Sequence, residues 1–566
     1  MSTATAPQTE TKAQRAERLK REKNPWECLD EFRSYARQGF DAIPEAWIKT
    51  YLRWWGVYTQ GDGAGALGGS GGEGKAVPFF MVRIRLASGF LRSGQLRAIA
   101  TLAEKYARGV ADITVRQNIQ LHWIAAENLP EVIDTLVETG LTTMSTCGDV
   151  TRNITGCPLA GVNANELIDA APLIEEAANL LVGNPDFYNL PRKYKISISG
   201  CRDWCSYPEI NDLAFTPAVK DGRIGFSLRV GGGLSTEPHM AVPLNAFVPQ
   251  ENVVPVLRAV SELFRESDVL RENRERARLK YLFLRHGWTA ETFLHEVENR
   301  LGFRLEPAGA EHVPVDVFRD HVGVHPQKQP GLYYVGASVL RGRITPEQLR
   351  AAAHLADSNG NGELRTTITQ NLVIINVPRE KTGAVVDGLE NAGLHVESSP
   401  FWRGAVACTG AEFCKLAITE TKSFTRWLVE EMQERLPDFD QQLRINVTGC
   451  PNSCGQHRLA DIGLEGKKIK SNGKTVDAYY FCLGGGVGEH AGFARPVGYR
   501  CSADETPEAI ERLLRQYLIA RSPEENLRRF FARHSETELR SFLAGQEMEA
   551  VLRDPSPGRP AHELEA

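Results

Sequence analysis

Ser199-Gly200-Cys201-Arg202-Asp203-Trp204-Cys205 returns as Thr448-Gly449-Cys450-Pro451-Asn452-Ser453-Cys454, 249 residues further along the chain. The echo continues outward at an offset of 253. Gln95-Leu96-Arg97 matches Gln348-Leu349-Arg350, Gln117-Asn118 matches Gln370-Asn371, and Gly140-Leu141 matches Gly393-Leu394. Val230-Gly231-Gly232-Gly233 likewise matches Leu483-Gly484-Gly485-Gly486. A fixed period between such blocks marks one structural unit used twice. In each copy an apolar-rich strand (79–86; 332–339) precedes a helix with Ala and Leu at three- and four-residue spacing. A second strand follows (113–123; 366–377), then another helix running to Gly-Leu. Two strands per copy cannot close a sheet alone, so the pattern predicts that the copies pair into one mixed sheet.

The chain has 566 residues with 66 Lys+Arg against 71 Asp+Glu, a net charge of -5. At roughly 100–200 residues per domain this is several cores' worth of chain, with no global basic field to suggest nucleic acid or an anionic membrane. No apolar run approaches the roughly 18 residues a membrane span needs. The first 25 residues are charged throughout, which predicts a mobile polar tail, no secretion signal and a cytoplasmic protein. Eleven Cys, an odd number, suit reduced thiols and metal ligands better than a disulfide framework. Eight glycines within residues 61–74 predict a flexible surface loop. Within it Gly69-x4-Gly74-Lys75 imitates a phosphate loop but has Ala76 where a hydroxyl should ligate magnesium. Gly486-x-Gly488-x-x-Ala491 imitates a dinucleotide turn, yet its echo at Gly231–Gly233 argues for a duplicated structural turn.

Chemistry concentrates on Cys408-x5-Cys414 and, 36 positions on, Cys450-x3-Cys454. Four thiolates in two short clusters suit a 4Fe-4S cluster, because thiolate donates strongly to iron and one loop can present two ligands. A structural four-thiolate zinc site in a binding protein is the alternative. Cys147, Cys157, Cys201 and Cys205 form a rival set, disfavoured because Gly410, Gly449 and Pro451 give the second-half set the tight turns a cluster needs. Arg116 falls in the predicted strand 113–123 on one face with Asn118, while Arg152-Asn153 and Pro191-Arg192-Lys193-Tyr194-Lys195 fall in or beside loops. If they converge they form an anion site, and a redox metal beside an anion site points to reduction of a small oxyanion.

Thr114-Val115-Arg116-Gln117-Asn118, Arg152-Asn153-x3-Cys157-Pro158-Leu159-Ala160-Gly161, Leu190-Pro191-Arg192-Lys193, Ala407-Cys408-x5-Cys414-Lys415 and Thr448-Gly449-Cys450-Pro451-Asn452-x-Cys454 together resemble the assimilatory siroheme-dependent sulfite and nitrite reductases. The resemblance spans residues 45–520. It implies an α+β fold, internally duplicated and pseudo-twofold, of two ferredoxin-like half-repeats plus two cofactor-embracing α/β domains. The expected divisions are an N-terminal extension and Gly-rich loop (1–75), half-repeat 1 (76–145), a siroheme and substrate domain (146–330), half-repeat 2 (331–396), and a 4Fe-4S and siroheme domain with a C-terminal tail (397–566).

The resemblance further implies a 4Fe-4S cluster on Cys408, Cys414, Cys450 and Cys454, the last bridging to siroheme iron, and catalysis by Arg116, Arg152, Lys193 and Lys195. Asn118, Arg192, Asn452 and Cys454 are expected to contact cofactor. Siroheme is rich in carboxylates, so Arg276, Arg278 and Lys280 are further candidates for its rim, against a solvated helix face. Six electrons would come singly from a separate ferredoxin, because the chain shows no convincing flavin or nicotinamide module, and a monomer is expected. Lys195 resembles the sulfite branch, whereas 153–161 looks closer to nitrite-reducing members; sulfite is the first reading and nitrite the alternative. Some sulfite-reducing relatives link a Tyr matching Tyr58 to a Cys, but that position reads Val150 here, so no crosslink is expected.

Overall fold

The computed structural model describes residues 10–66, 72–315 and 320–546. The two half-repeats do not share one mixed sheet. They build two five-stranded antiparallel sheets. The first runs Val57–Gly61, Ala76–Ile84, Ile119–Ala125, Ala111–Ile113, Arg343–Ile344; the second runs Gly323–Pro326, Leu332–Ala337, Leu372–Pro378, Glu363–Thr366, Phe90–Arg92. Each is completed by a short strand borrowed from the other copy: Arg343–Ile344 pairs with Ala111–Ile113, and Phe90–Arg92 with Glu363–Thr366. Exchange is what lets so few strands per copy close a sheet.

Contacts across the pseudo-twofold axis come in matched pairs. Gln117 Nε2 donates to Thr366 O (3.2 Å), and its counterpart Gln370 Nε2 donates to Ile113 O (2.8 Å). The helices Ser93–Tyr106 and Pro346–Asn359 carry reciprocal ion pairs, Arg97 with Asp357 and Arg350 with Glu104. Beneath them one continuous apolar core unites both copies, with Leu96, Ile99, Leu121 and Ile344 among its fully enclosed members.

The segment 113–123 is not one strand. Its chain turns at 114–118, with Gln117 at φ +59°, and 366–377 turns in the same way with Gln370 at φ +66°. The turn is held by side chains: Gln117 Nε2 also donates to Ser88 O, and Asn118 Oδ1 accepts from Leu86 N. Arg116 therefore projects from a turn rather than from a strand face.

Two further sheets carry the repeated cysteine turns. One has the order Val242–Pro249, Arg223–Val230, Leu213–Lys220, Ile196–Ile198, Thr155–Gly156; the other has Ala405–Ala407, Ile445–Thr448, Ile462–Ser471, Lys474–Leu483, Arg495–Ser502. In both, the strands that lead into the cysteine turns are parallel to their neighbours, so those turns leave the same edge of the sheet. The glycine runs behave as a duplicated turn: Gly233 and His239 exchange backbone hydrogen bonds, as do Gly486 and Gly492.

Residues 10–25, the described part of the charged N-terminal segment, also depart from expectation. Thr11 and Gln14 form a reciprocal cap that starts the helix Lys12–Glu22, and Ala13, Leu19 and Lys20 on it are buried. Lys20 pairs with Glu17 (2.5 Å) and Asp149 (3.5 Å), and its ammonium donates to Leu190 O (2.8 Å). The described part of the expected tail is thus a brace behind the Pro-Arg-Lys segment. The Gly-rich loop is likewise anchored at its described ends: Gly61 N donates to Phe413 O, Ala66 N to Ala417 O and Gly74 N to Lys415 O. Gly69 of the phosphate-loop imitation lies outside the described residues. No helix among the described residues is long and apolar enough to cross a membrane.

Candidate functional site

A cleft of about 460 Å³ lies where the first half-repeat meets both cysteine-bearing domains. Its floor holds Cys408, Cys414, Cys450 and Cys454, and its walls include Arg83, Arg116, Arg152, Arg192, Lys193, Lys195 and Arg278. Cys408 directly follows the strand Ala405–Ala407, and Cys450 and Cys454 follow Ile445–Thr448, so two parallel strands aim three thiols at one place. Gly410, at φ +67°, makes the bend toward Cys414; a Cβ there would meet Thr421 N at 2.6 Å. Gly449 N donates to Cys408 Sγ (3.3 Å) and Asn452 Nδ2 to Cys450 Sγ (3.4 Å). Burial, reinforced by Cys454, pushes the Cys414 and Cys450 thiols up to about 12, so only a bound metal would hold them as thiolates at neutral pH.

These four sulfurs fit a cluster better than a single ion. A lone tetrahedral ion draws its ligand atoms to about 3.5–3.8 Å of one another, as follows from metal–ligand bonds of about 2.0–2.3 Å. No three of the four cysteines meet even a 4.8 Å mutual limit. Four thiolates spread around a larger object suit an iron–sulfur cube.

The basic wall is built from two laced segments. Arg152 N donates to Tyr194 O (2.7 Å) and Tyr194 N to Val150 O (3.1 Å), which places Arg152 beside Lys193 and Lys195. Arg192 pairs with Asp149 (3.1 Å), whose carboxyl burial would raise but which Lys20, Arg192 and Arg274 together hold far below the usual range. Neither Lys193 nor Lys195 makes an ion pair among the described residues. Burial, with Arg192 and Arg278 nearby, pushes the Lys193 ammonium down to about 7; burial and then Arg278, Arg116 and Lys193 push Lys195 well down too. Two recessed, unneutralised ammonium groups are favourable only when an anion joins them.

The other expected residues divide. Arg116 reaches the cleft, but its guanidinium is largely engaged, donating to Asn153 O (2.6 Å) and Asn211 Oδ1 (2.9 Å). Arg278 lines the cleft while gripping Asp212 in a bidentate pair (2.9 and 2.8 Å). Asn118 and Asn452 also line it. Arg276 is exposed and does not line the cleft. Lys280 is buried behind it, its ammonium donating to Leu234 O (3.2 Å) and Glu237 O, so it steadies the loop that brings Leu234 to the wall.

Two cleft-lining arginines, Arg53 and Arg83, were not among the expected site residues. Arg83 lines the cleft and shares an acceptor with Arg152, both donating to Thr146 O at 3.2 Å; Arg83 also donates to Cys147 Sγ (3.1 Å). Strand alternation could have found it, since Phe80, Val82 and Ile84 are fully buried while Met81 and Arg83 face the cleft. Arg85, 5% exposed, has no hydrogen-bond partner for any of its three guanidinium nitrogens among the described residues, and burial pushes it down to about 9. A buried guanidinium without an acceptor is costly, but Arg85 does not line the cleft.

The comparisons with known proteins agree with this geometry. Residues 147–305 and 398–551 match the model described as the nitrite and sulphite reductase 4Fe-4S domain, and 73–139 and 325–392 match the nitrite/sulfite reductase ferredoxin-like half domain. The chain is 38% identical to an assimilatory ferredoxin-dependent nitrite reductase of Haloferax mediterranei, over 88% of each chain. It is also 38% identical to sulfite reductase [ferredoxin] 1 of Mycolicibacterium paratuberculosis, over 89% of this chain and 92% of that one. The solved structure of the Mycobacterium tuberculosis NirA protein superposes with a TM-score of 0.87 at 37% identity, covering 93% of this chain and 97% of that one. With both halves of the repeat matched and the thiols and cations gathered in one cleft, the chain belongs to the siroheme- and 4Fe-4S-dependent family of nitrite and sulfite reductases.

Proposed function

We propose that the chain is a ferredoxin-dependent sulfite reductase, catalysing six-electron reduction of sulfite to sulfide. The observation that carries this reading is the pair Lys193 and Lys195, both recessed in the cleft and neither neutralised by a carboxylate. Sulfite near neutral pH carries more negative charge than nitrite and gains more from a second ammonium, each charge-assisted contact being worth about 1.5–3 kcal/mol. When bound, siroheme coupled to a 4Fe-4S cluster supplies the one-electron redox chemistry. Cys408, Cys414, Cys450 and Cys454 would hold the cluster, and Cys454, the exposed one of the four, would be the thiolate that couples it to the haem.

Arg83 and Arg152, fixed on one carbonyl, would orient the oxyanion and stabilise its charge without giving up a proton. Lys193, at about 7, can donate and regain a proton at its Nζ as oxygen leaves as water. Nitrite reduction to ammonia is the second reading, favoured by relatives of equal identity that are named nitrite reductases.

Steady-state assays with reduced ferredoxin or a small reduced dye test the proposal. Wild type should show the higher kcat/KM for sulfite, and Lys195→Asn should lose sulfite turnover by more than nitrite turnover. A wild-type preference for nitrite, or equal losses in the variant, would hand the assignment to nitrite. Turnover with NADPH alone is expected to be nil.

A further inference from the structure

The first-half copy of the cysteine turn has no place in the chemistry above, yet its thiols are gathered more tightly than those of the second half. Cys157 follows the strand Thr155–Gly156 as Cys408 follows Ala405–Ala407, and Cys201 and Cys205 are the repeat mates of Cys450 and Cys454. The position matching Cys414 is Asn163, whose Nδ2 donates to Cys157 Sγ (3.4 Å). In its stead a residue arrives from elsewhere in the chain: the side-chain donor atoms of Cys157, Cys205 and His321 all lie within 4.8 Å of one another. Among the described residues this is the one group of three metal-ligating side chains that close. Cys201 Sγ is 3.4 Å from Cys205 Sγ but lies outside the group whose donor atoms are all within 4.8 Å of one another.

We propose that Cys157, Cys201, Cys205 and His321 form a second metal centre, distinct from the cluster site, that takes a single divalent ion of the zinc class.

The donor set selects the ion. Three thiols and one imidazole make the Cys₃His combination of structural zinc sites, whose neighbouring ligand atoms sit about 3.5–3.8 Å apart. Three donors within 4.8 Å of one another, with Cys201 3.4 Å from Cys205, are set too closely for a four-iron cube; Cys201 stands outside the mutual group and would close on the ion as it binds. Closure argues for a structural role. Cys157, Cys201 and Cys205 are at most 5% exposed and His321 is 6% exposed, leaving no position for substrate. The thiols pack with Leu159, Val162, Tyr334, Val373 and Ile375, so the centre lies where the first cysteine-bearing domain meets the sheet of the second half-repeat. His321 is locked to that sheet. Its carbonyl lies where a Cβ on Gly336 would come within 1.7 Å, and its own backbone is left-handed at φ +59°. An ion there would staple the two bodies, and binding would release the thiol protons to solvent, making occupancy pH-dependent.

Holoenzyme produced with zinc in the medium tests this directly. Elemental analysis should find one zinc per chain in addition to iron, and zinc K-edge absorption should report sulfur neighbours at about 2.3 Å with a nitrogen at about 2.0–2.1 Å. Cys205→Ser and His321→Ala should each lose the zinc while iron and haem contents stay at wild-type levels. Wild-type protein without zinc overturns the proposal whether or not the variants fold. A zinc shell of only oxygen and nitrogen, zinc retained in Cys205→Ser, iron in the site, or a Cys201–Cys205 disulfide found by peptide mapping also overturns it.

Discussion

The turns Ser199–Cys205 and Thr448–Cys454 share a backbone plan and differ in what their surroundings ask of the sulfurs. In the first half every thiol is enclosed and the donor atoms crowd together; in the second, Cys454 is exposed to the cleft and the four sulfurs spread. The neighbouring cations diverge in the same way. Lys195 N donates to Asp212 Oδ2 at 2.8 Å, and its repeat mate Arg444 N donates to Asp461 Oδ2 at 2.8 Å. In the second half Asp461 grips the Arg444 guanidinium (3.1 and 3.0 Å) as well as Arg528 (3.3 Å), whereas Asp212 holds Arg278 and leaves the Lys195 ammonium to the cleft. Duplication kept the carboxylate and its second arginine, and only the cation at the 195/444 position went from neutralised to available.

The sharpest test of this contrast is at the repeat mates Cys454 and Cys205. Cys454→Ser should bring sulfite and nitrite turnover to background and change the electronic coupling seen in the haem and cluster EPR signals. Cys205→Ser should leave iron content and those signals as in wild type. Loss of iron–sulfur signal from Cys205→Ser would move the cluster to the first half and collapse the comparison.

A smaller effect follows from Lys193. Its pKa lies below that of a free lysine, so its positive charge is present at low pH and lost as pH rises through about 7. Nitrite keeps its charge near neutrality, so it reports the enzyme's titration rather than its own. Above that pH, kcat/KM for nitrite should fall by up to about tenfold per unit. In Lys193→Arg the decline should flatten because guanidinium stays charged. A profile for the Arg variant that falls as steeply as wild type would assign the limb to another group.

The repeat, the cysteine sets and most of the cleft were legible in the sequence because duplication writes the same residues twice and thiol spacing is a local property. What escaped was non-local. The residues 113–123 read as one strand because Gln is not a turn residue; Gln117 adopts a left-handed backbone because its amide serves carbonyls from both copies. Strand exchange is invisible to periodicity, since three residues at Phe90–Arg92 carry no register of their own. The N-terminal brace could have been suspected from Thr11-x-x-Gln14, but burial of Lys20 depends on Asp149 and Leu190 in another domain. His321 offers no sequence signal at all, because a single His acquires meaning only from the thiols the fold sets beside it.

Symmetry itself can be broken at Gln117 and Gln370. Each amide sits across the axis from the other copy, so Gln117→Ala leaves Ser88 O and Thr366 O without that donor, and Gln370→Ala does the same to Ile113 O and Ala407 O. Each change should cost about 1–3 kcal/mol, seen as a lowered unfolding midpoint. The two costs should be similar; a large inequality would show that one half supports the interface more than the other.

The smallest expected effect concerns the reciprocal ion pairs Arg97 with Asp357 and Arg350 with Glu104. They obey the same symmetry, yet their side chains are between 37% and 56% exposed, so solvent and salt screen them. Arg97→Ala and Arg350→Ala should therefore each cost only about 0.2–1 kcal/mol, and less as ionic strength rises. The helices that carry these pairs are joined by apolar packing of Leu96, Ile99, Leu349 and Ala353, which the substitutions leave alone. If thermal unfolding shows either variant losing as much as Gln117→Ala, with no relief in salt, the interface depends on its charged rim. The enclosed amides would then be secondary, and the ranking of buried over exposed symmetry contacts would have to be reversed.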